Sequence, residues 1–419
     1  MITGQARCFH EGDIALSLTL TSHLLPLTSH LENMHILEIP SFFTPYGGEF
    51  CLDQAKVLKA QGHEVRILSN VQLGVTIGAK GYLSLPFGRY EHQRDGITVC
   101  QSFQRGVPLM VRWNVRRWVR IVGEMFDDYI SRYGRPDILH AHCSKWAGYA
   151  AMQISRKYQI PYVITEHLSR LVFEKEFGPA PSSAWQIPLL RKAYEQANLV
   201  IPVSEELVGN IACYFGNAYR WQAVSNTVDV DFFHFRERQS HEGRPFRFCC
   251  LANFWPLKGY DILLPAFRQL RASGLDVELH IAGRGTDSAD CQKLFSEGVV
   301  SHGLISRDAV RDLLYQSDAL VLASRSEVQP LALLEAMSTG IPTIATECVP
   351  KSLRIEGGCT IVPIDDVQAL SDAMQRVMEK KDFNGKVVSE AVRRLASAEV
   401  IGKRLTEVFD TVLHTDAPL

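Results

Sequence analysis

From His35 onward the chain alternates short β-rich runs with stretches of helical periodicity, and it does so twice. That alternation is the mark of parallel sheets covered by helices, because a parallel strand pair needs a crossover and a helix supplies it. Predicted strands of the first run are residues 35–39, 64–68, 97–103, 138–141, 162–165 and 199–203. Helices fall between them, among them 49–61, ended by Gly62, and 146–158. A polar stretch, 236–245, then interrupts the pattern and reads as an interdomain linker. In the second run, strands are predicted at 247–252, 278–282, 319–322 and 343–346, with helices at 260–272, 308–316, 330–339 and 367–379. A last helix, about 398–413, carries Val400, Ile401, Leu405, Val408, Phe409 and Val412 as one apolar stripe.

At 419 residues the chain is too long for one ordinary domain and fits two. Its 44 basic and 46 acidic residues leave a net charge of -2, which excludes a global nucleic-acid footprint. No apolar run reaches membrane-span length. The ten cysteines show no CxxC pair and no cysteine–histidine zinc spacing, so the plain reading is reduced thiols in the cytosol and no metal centre. Residues 1–33 hold only a weak apolar stretch, Ile14 to Leu27, with Arg7 as the sole basic residue ahead of it. That argues against a signal peptide, and the expectation is either that Met34 is the start or that residues 1–33 are a loosely packed extension.

The segment SRSEVQPLALLEAMSTG, Ser324 to Gly340, holds two glutamates, Glu327 and Glu335, eight positions apart. The first follows the strand ALVLA. The second lies in a helix predicted to start near Pro330, since proline suits the first helical turn. One carboxylate therefore sits in the loop at the carboxyl end of a strand and the other along the helix that follows. Such a helix N-terminus offers free N–H groups to a diphosphate, and a carboxylate can accept hydrogen bonds from both hydroxyls of a ribose or sugar. The arrangement fits a nucleotide-sugar site.

The segment resembles the signature of retaining glycosyltransferases of family four, with two glutamates separated by seven residues. The resemblance runs from Met34 to the last helix and implies the GT-B fold, two Rossmann-like α/β domains facing across a cleft. The implied boundaries are an extension at 1–33, an acceptor domain at 34–235, a nucleotide-sugar domain at 236–396, and a helix at 397–419 that crosses back to the first domain. It implies transfer of a glycosyl unit from a UDP- or GDP-sugar to an acceptor hydroxyl, with retention, in bacterial polysaccharide or glycolipid synthesis. It implies no cofactor or metal beyond that donor.

Residue by residue, ANFWPLKGYDILLPAF matches the family's Gly-Arg, then Lys-Gly pattern. Lys258 stands for the lysine, and Asn253 replaces the arginine. Lys258, Asn253 and backbone N–H groups near Leu331 would hold the diphosphate, Glu335 the ribose and Glu327 the donor sugar. HIAGRG and SHGLIS match positions where a strand around Gly303 to Ile305 runs under the base. Gly47 and Gly48 follow the first strand, and Gly48 would face the diphosphate, although adjacent glycines also serve simple tight turns. His167, in TEHLS, matches a histidine near the reacting sugar; His142, in LHAHC, reads as support. SNTVDVDFF, with Asn226 and Asp229, resembles the hinge element. The loop Val328–Gln329–Pro330–Leu331 and the ECVPKS run, with Val349 and Pro350, depart from the commoner small-residue forms and leave the sugar open.

Residues 111–132 form an amphipathic helix. Val111, Val115, Trp118, Val122, Met125 and Tyr129 share one face, and Arg112, Arg116, Arg117 and Arg120 crowd the other. The stripe is expected to pack on the sheet. The Arg112–Arg120 side could meet an anionic lipid or acceptor, giving peripheral membrane contact from the cytoplasmic side. Three rival readings stand beside the transferase: a non-catalytic GT-B scaffold, motivated by Asn253; a nucleotide-sugar epimerase; and a dinucleotide oxidoreductase. The last needs a GxGxxG after the first strand, which TPYGGEF does not supply.

Overall fold

A computed structural model of the protein describes residues 33–44, 47–74, 78–84, 87–178, 184–238, 243–380 and 382–414. The reading of residues 1–32 as an extension lies outside them. The described residues form two sheets. The first comprises β1 (His35–Pro40), β2 (Glu64–Leu73), β3 (Gly88–Arg94), β4 (Ile97–Arg105), β5 (Ile138–His142), β6 (Tyr162–Glu166) and β7 (Leu199–Pro202). Their spatial order is β3-β4-β2-β1-β5-β6-β7. Every pair is parallel except β3–β4. The second sheet is wholly parallel. It comprises β8 (Phe246–Leu251), β9 (Val277–Ala282), β10 (Val299–Ser301), β11 (Ala319–Leu322), β12 (Thr343–Thr346) and β13 (Cys359–Val362). Its order is β10-β9-β8-β11-β12-β13.

The predicted strands are all present, because their apolar runs are buried on both faces as parallel strands under helices must be. Two further strands, β3 and β13, escaped prediction, and β10 lies ahead of the strand expected at 303–305. β3, GRYEHQR, is polar and almost wholly exposed, so it carries no apolar alternation. It joins β4 as a hairpin closed at Asp95-Gly96, both with positive φ. That dipeptide is the usual turn of a two-residue hairpin and was the readable sign.

The helix Ala398–His414 packs on the helix Glu49–Ala60. Ile401, Leu405, Val408 and Phe409 share a core with Ile36, Leu52 and Leu58, and His63 Nε2 lies 2.9 Å from Thr406 Oγ1. The polar stretch between the sheets is pinned where it is described. Arg238 and Arg244 both grip Asp318, itself 4% exposed, at 2.9 and 2.6 Å. The amphipathic helix spans Val111–Tyr133 and buries Val115, Trp118, Val122, Met125 and Tyr129 against the first sheet. Val111, expected on that stripe, is exposed instead, because the helix begins there, beyond the sheet's edge.

Candidate active site

Each sheet reverses its winding near the middle: β1 sits between β2 and β5, and β8 between β9 and β11. Connections leaving the two strands on either side of that point turn to opposite faces, which opens a crevice at their carboxyl ends. The residues singled out from sequence fall on these two edges.

In the second sheet, the loop after β11 carries Glu327, and the helix Leu331–Thr339 carries Glu335. Pro330 stands just before that helix in an extended conformation, one position earlier than its predicted place in the first turn. Lys258 comes from the turn after β8, and its Nζ lies 2.6 Å from Glu327 Oε1. Glu327 is 8% exposed, so the lysine neutralises a nearly buried carboxylate rather than trailing in solvent. The following Gly259 lets this happen. Its φ is +65°, and a Cβ there would fall 1.9 Å from the Ala323 carbonyl oxygen, so only glycine lets the two loops close on each other.

Asn253, Lys258, Ile305, Glu327, Leu331 and Glu335 line one cavity of about 460 Å³. The Asn253 Oδ1 accepts from the Arg284 N–H at 2.9 Å, which leaves the amide N–H₂ as its donor in place of the cation the family pattern has there. Glu335 has no hydrogen-bond or ion-pair partner among the described residues. Burial, with Asp53 and Asp229 nearby and Arg307 opposing, pushes its carboxyl up to about 7. Gly303 is not on the cavity wall. The strand expected at 303–305 ends at Ser301, and Gly303 turns the chain with φ +62°, where a Cβ would meet the Asp287 carboxylate at 2.8 Å. Its neighbour Ile305 reaches the cavity.

In the first sheet, Gly48 caps the helix Glu49–Ala60 with φ +83°, and a Cβ there would strike the Phe42 carbonyl oxygen at 2.2 Å. This backbone contact by itself accounts for the glycine. The helix then presents Phe50, whose ring stacks on His167 at 3.8 Å between centroids. His167 follows β6, and His142 ends β5. Their rings are linked by a 3.4 Å approach of His142 Nδ1 to His167 Nε2.

Behind them is a cluster that sequence reading missed. Glu38, fully buried on β1, approaches His142 Nε2 at 2.5 Å and His140 Nδ1 at 2.9 Å. The sign was an acidic residue inside the apolar strand HILEIP. Burial alone would raise the Glu38 carboxyl, but the two imidazoles more than offset it and hold it down at about 2. Burial and the neighbouring His140 push His142 down to about 4. A carboxylate only accepts, so both imidazoles must donate to it. His142 Nδ1 is then an acceptor, and it takes the N–H of His167 Nε2. That leaves His167 Nδ1 as a lone pair, buried and without a partner among the described residues. Burial and the two other rings hold His167 well below the usual histidine range, so it is neutral at pH 7. Ligand atoms of Glu38, His140 and His142 lie within 4.8 Å of one another, a set that could hold a metal ion. Here the hydrogen bonds within the cluster already use its carboxylate.

The two edges meet: Glu206, in the helix after β7, accepts the Lys351 N–H beyond β12 at 2.9 Å. Gln329, from the loop between the two glutamates, accepts the N–H of Asn226 in the connecting segment at 2.7 Å, and Arg307 pairs with Asp229 there at 3.1 Å. A second cavity, of about 640 Å³, lies between Ser169 and Arg170 on one side and Lys351 and Arg354 on the other; Glu327 lines it as well as the first. Glu327 thus stands at the boundary of two chambers.

Comparison with known proteins gives a consistent answer. The family profile described as Glycosyltransferase Family 4 matches residues 47–232, and that described as Glycosyl transferases group 1 matches residues 245–380. A putative teichuronic acid biosynthesis glycosyltransferase, TuaC of Bacillus subtilis, is 26% identical over 77% of this chain and 82% of its own length. A putative colanic acid biosynthesis glycosyltransferase, WcaL of Salmonella typhimurium, is 25% identical over 54% of this chain and 59% of its own. Sucrose-phosphate synthase from Thermosynechococcus elongatus superposes with a TM-score of 0.73 at 17% identity, covering 90% of this chain and 99% of that one. Anabaena HepE in complex with UDP-glucose superposes with a TM-score of 0.64, also at 17% identity, covering 90% and 99%. With a family profile on each of its two α/β halves and the same architecture as these solved enzymes, the chain belongs to the family-four, group 1 glycosyltransferases of GT-B fold.

Proposed function

We propose that the protein is a retaining glycosyltransferase. It moves a hexosyl unit from a nucleotide diphosphate sugar to an acceptor hydroxyl during assembly of a bacterial surface polysaccharide or glycolipid. The observation that carries this reading is the convergence of Lys258, Glu327 and Glu335 on one cavity at a helix N-terminus. Glu335 accepts from the ribose hydroxyls, and Glu327 from the donor sugar at the boundary of the two chambers. Lys258, the first N–H groups of the helix Leu331–Thr339 and the Asn253 amide stabilise the leaving diphosphate. Such fixed dipoles, aimed at charge that develops in the transition state, lower the barrier without reorganising. His167, its tautomer set by His142 and Glu38, contacts the sugar or acceptor and accepts a hydrogen bond from one of its hydroxyls. The donor class agrees with HepE, solved with UDP-glucose, and the polymer class with the teichuronic and colanic acid enzymes.

The test is a thermal-shift series with UDP, GDP, ADP and their sugars on the wild type and Glu335→Ala. A ligand that binds only the folded state raises the melting temperature in proportion to the logarithm of its saturation. The expected result is a shift with one nucleotide, lost in the variant. No shift with any of them, in a folded sample, would favour the non-catalytic GT-B reading and point to Asn253. With a donor in hand, the anomeric coupling in the product's proton spectrum decides retention.

A further inference from the structure

Glu166 ends β6, a strand buried at all five positions, and is itself wholly buried. A glutamate sits so deep only where its carboxylate is fully engaged. Here Oε1 accepts the backbone N–H of His167 at 3.0 Å and that of Leu168 at 2.9 Å. Oε2 accepts the backbone N–H of Ser144 at 3.0 Å and the Tyr194 hydroxyl at 2.5 Å. All four of these partners are uncharged, and no cation pairs with Glu166 among the described residues.

The two oxygens do different things. Oε2 ties the carboxylate to the core, since Tyr194 belongs to the helix Ile187–Glu195 and Ser144 follows β5 by two residues. Oε1 holds the first two N–H groups of the turn that leaves β6. That turn has left the sheet, and neither N–H has a backbone acceptor among the described residues. An apolar side chain would suit a plain strand end better, because a carboxylate with no cation beside it is costly to bury. Glutamine would not substitute, because one end of an amide only donates, and Ser144, His167 and Leu168 all present N–H groups.

The hold falls on the backbone of the histidine that the cleft uses. The His167 ring is packed by Phe50 at 3.8 Å and reached by His142 Nδ1 at 3.4 Å, and its own Nδ1 has no partner among the described residues. We infer that Glu166 is a positioning residue of the transferase site. It fixes the His167 backbone so that Nδ1 stays where it meets a hydroxyl of the sugar or acceptor. Glu166 touches neither substrate and acts through His167. This role rests on the transferase reading of the cleft, whereas the hold on the His167 backbone does not.

The test uses Glu166→Gln, which keeps the shape and turns one acceptor into a donor. Glu166→Asp, which keeps the acid and withdraws it by one methylene, carries the same readouts if the first variant does not fold. Donor consumption is measured for the wild type, each variant, His167→Ala and the double variant. Nitrogen-15 spectra of the full chain follow the histidine rings. Glu166→Gln should lower kcat about tenfold or more, because a small displacement of a contacting group is costly in rate. The donor KM should change by less than about twofold, since Lys258 and Glu335 belong to the other sheet's edge. In the His167→Ala background the same change should lower kcat no further, because the two residues act as one unit. The His167 ring signals should shift or broaden, while those of His280 and His302, on the second sheet, stay in place. An unchanged kcat, losses that multiply in the double variant, or unmoved His167 signals would overturn the inference. A wild type that consumes no donor would sink the transferase reading and with it the catalytic role of Glu166, and the ring signals would still decide whether Glu166 holds His167.

Discussion

Replacing Glu335 by glutamine should stabilise the protein, and more so as the pH rises. The carboxyl titrates near 4.5 in an unfolded chain and at about 7 in the folded one, burial being the main cause. The folded state therefore holds this proton more tightly. The resulting stability is fully present below pH 4.5 and is lost as the pH climbs through about 7. Each pH unit in that window is worth about 1.4 kcal/mol, so the ionised glutamate costs the free protein ~3 kcal/mol at pH 8 as an upper bound. Glutamine keeps the shape and does not titrate. Urea denaturation of both proteins at pH 5, 6.5 and 8 should show a small difference at pH 5 that grows to as much as ~3 kcal/mol at pH 8. The ionised carboxylate accepts from both ribose hydroxyls at once and more strongly than the protonated acid, so wild-type nucleotide affinity should tighten by up to about tenfold between pH 6 and pH 8. A stability difference that stays flat across pH, or a nucleotide affinity that does not rise with it, would refute the reasoning. Glu335 would then be neither an ionisation cost to the fold nor a ribose ligand.

Gly259→Ala should cost several kcal/mol, about 3 or more, because its Cβ has only 1.9 Å to the Ala323 carbonyl oxygen. Gly357→Ala, at a φ of +76° but with nothing within 4 Å, should cost about 1 kcal/mol in the same denaturation assay. Equal costs would show that backbone conformation alone, and not the close approach, dictates Gly259. Glu38→Gln should destabilise by about 3 kcal/mol, since an amide oxygen cannot replace a carboxylate between two imidazole donors. Nitrogen-15 spectra should then show the His142 and His167 tautomers redistributed; unchanged spectra would disconnect Glu38 from His167.

Much of this protein was legible because the rules involved are local. Buried parallel strands are short apolar runs, and crossover helices carry apolar stripes, so both α/β halves could be read from periodicity. Glu327 and Glu335 were legible because a strand, a loop and one helix fix their separation within seventeen residues of chain. β3 was missed because an exposed edge strand has no apolar alternation to read. The strand expected at Gly303 was misplaced because a short strand and the turn after it look alike in composition.

What only the tertiary structure decided is pairing across long sequence separations. Lys258 meets Glu327 across 69 positions, and Glu38 meets His140 and His142 across more than a hundred. Nothing local announces either pairing. Both arise where the winding of a sheet reverses and the carboxyl ends of distant strands come to one crevice. The same holds for Gly48 and Gly259: a glycine is visible in the sequence, but the carbonyl oxygen that forbids a Cβ comes from another segment. The sequence by itself determined which segments become strands and helices, because that depends on neighbours a few residues away. The site depended on which strand ends the topology brings together, and that is settled only when the sheets are assembled.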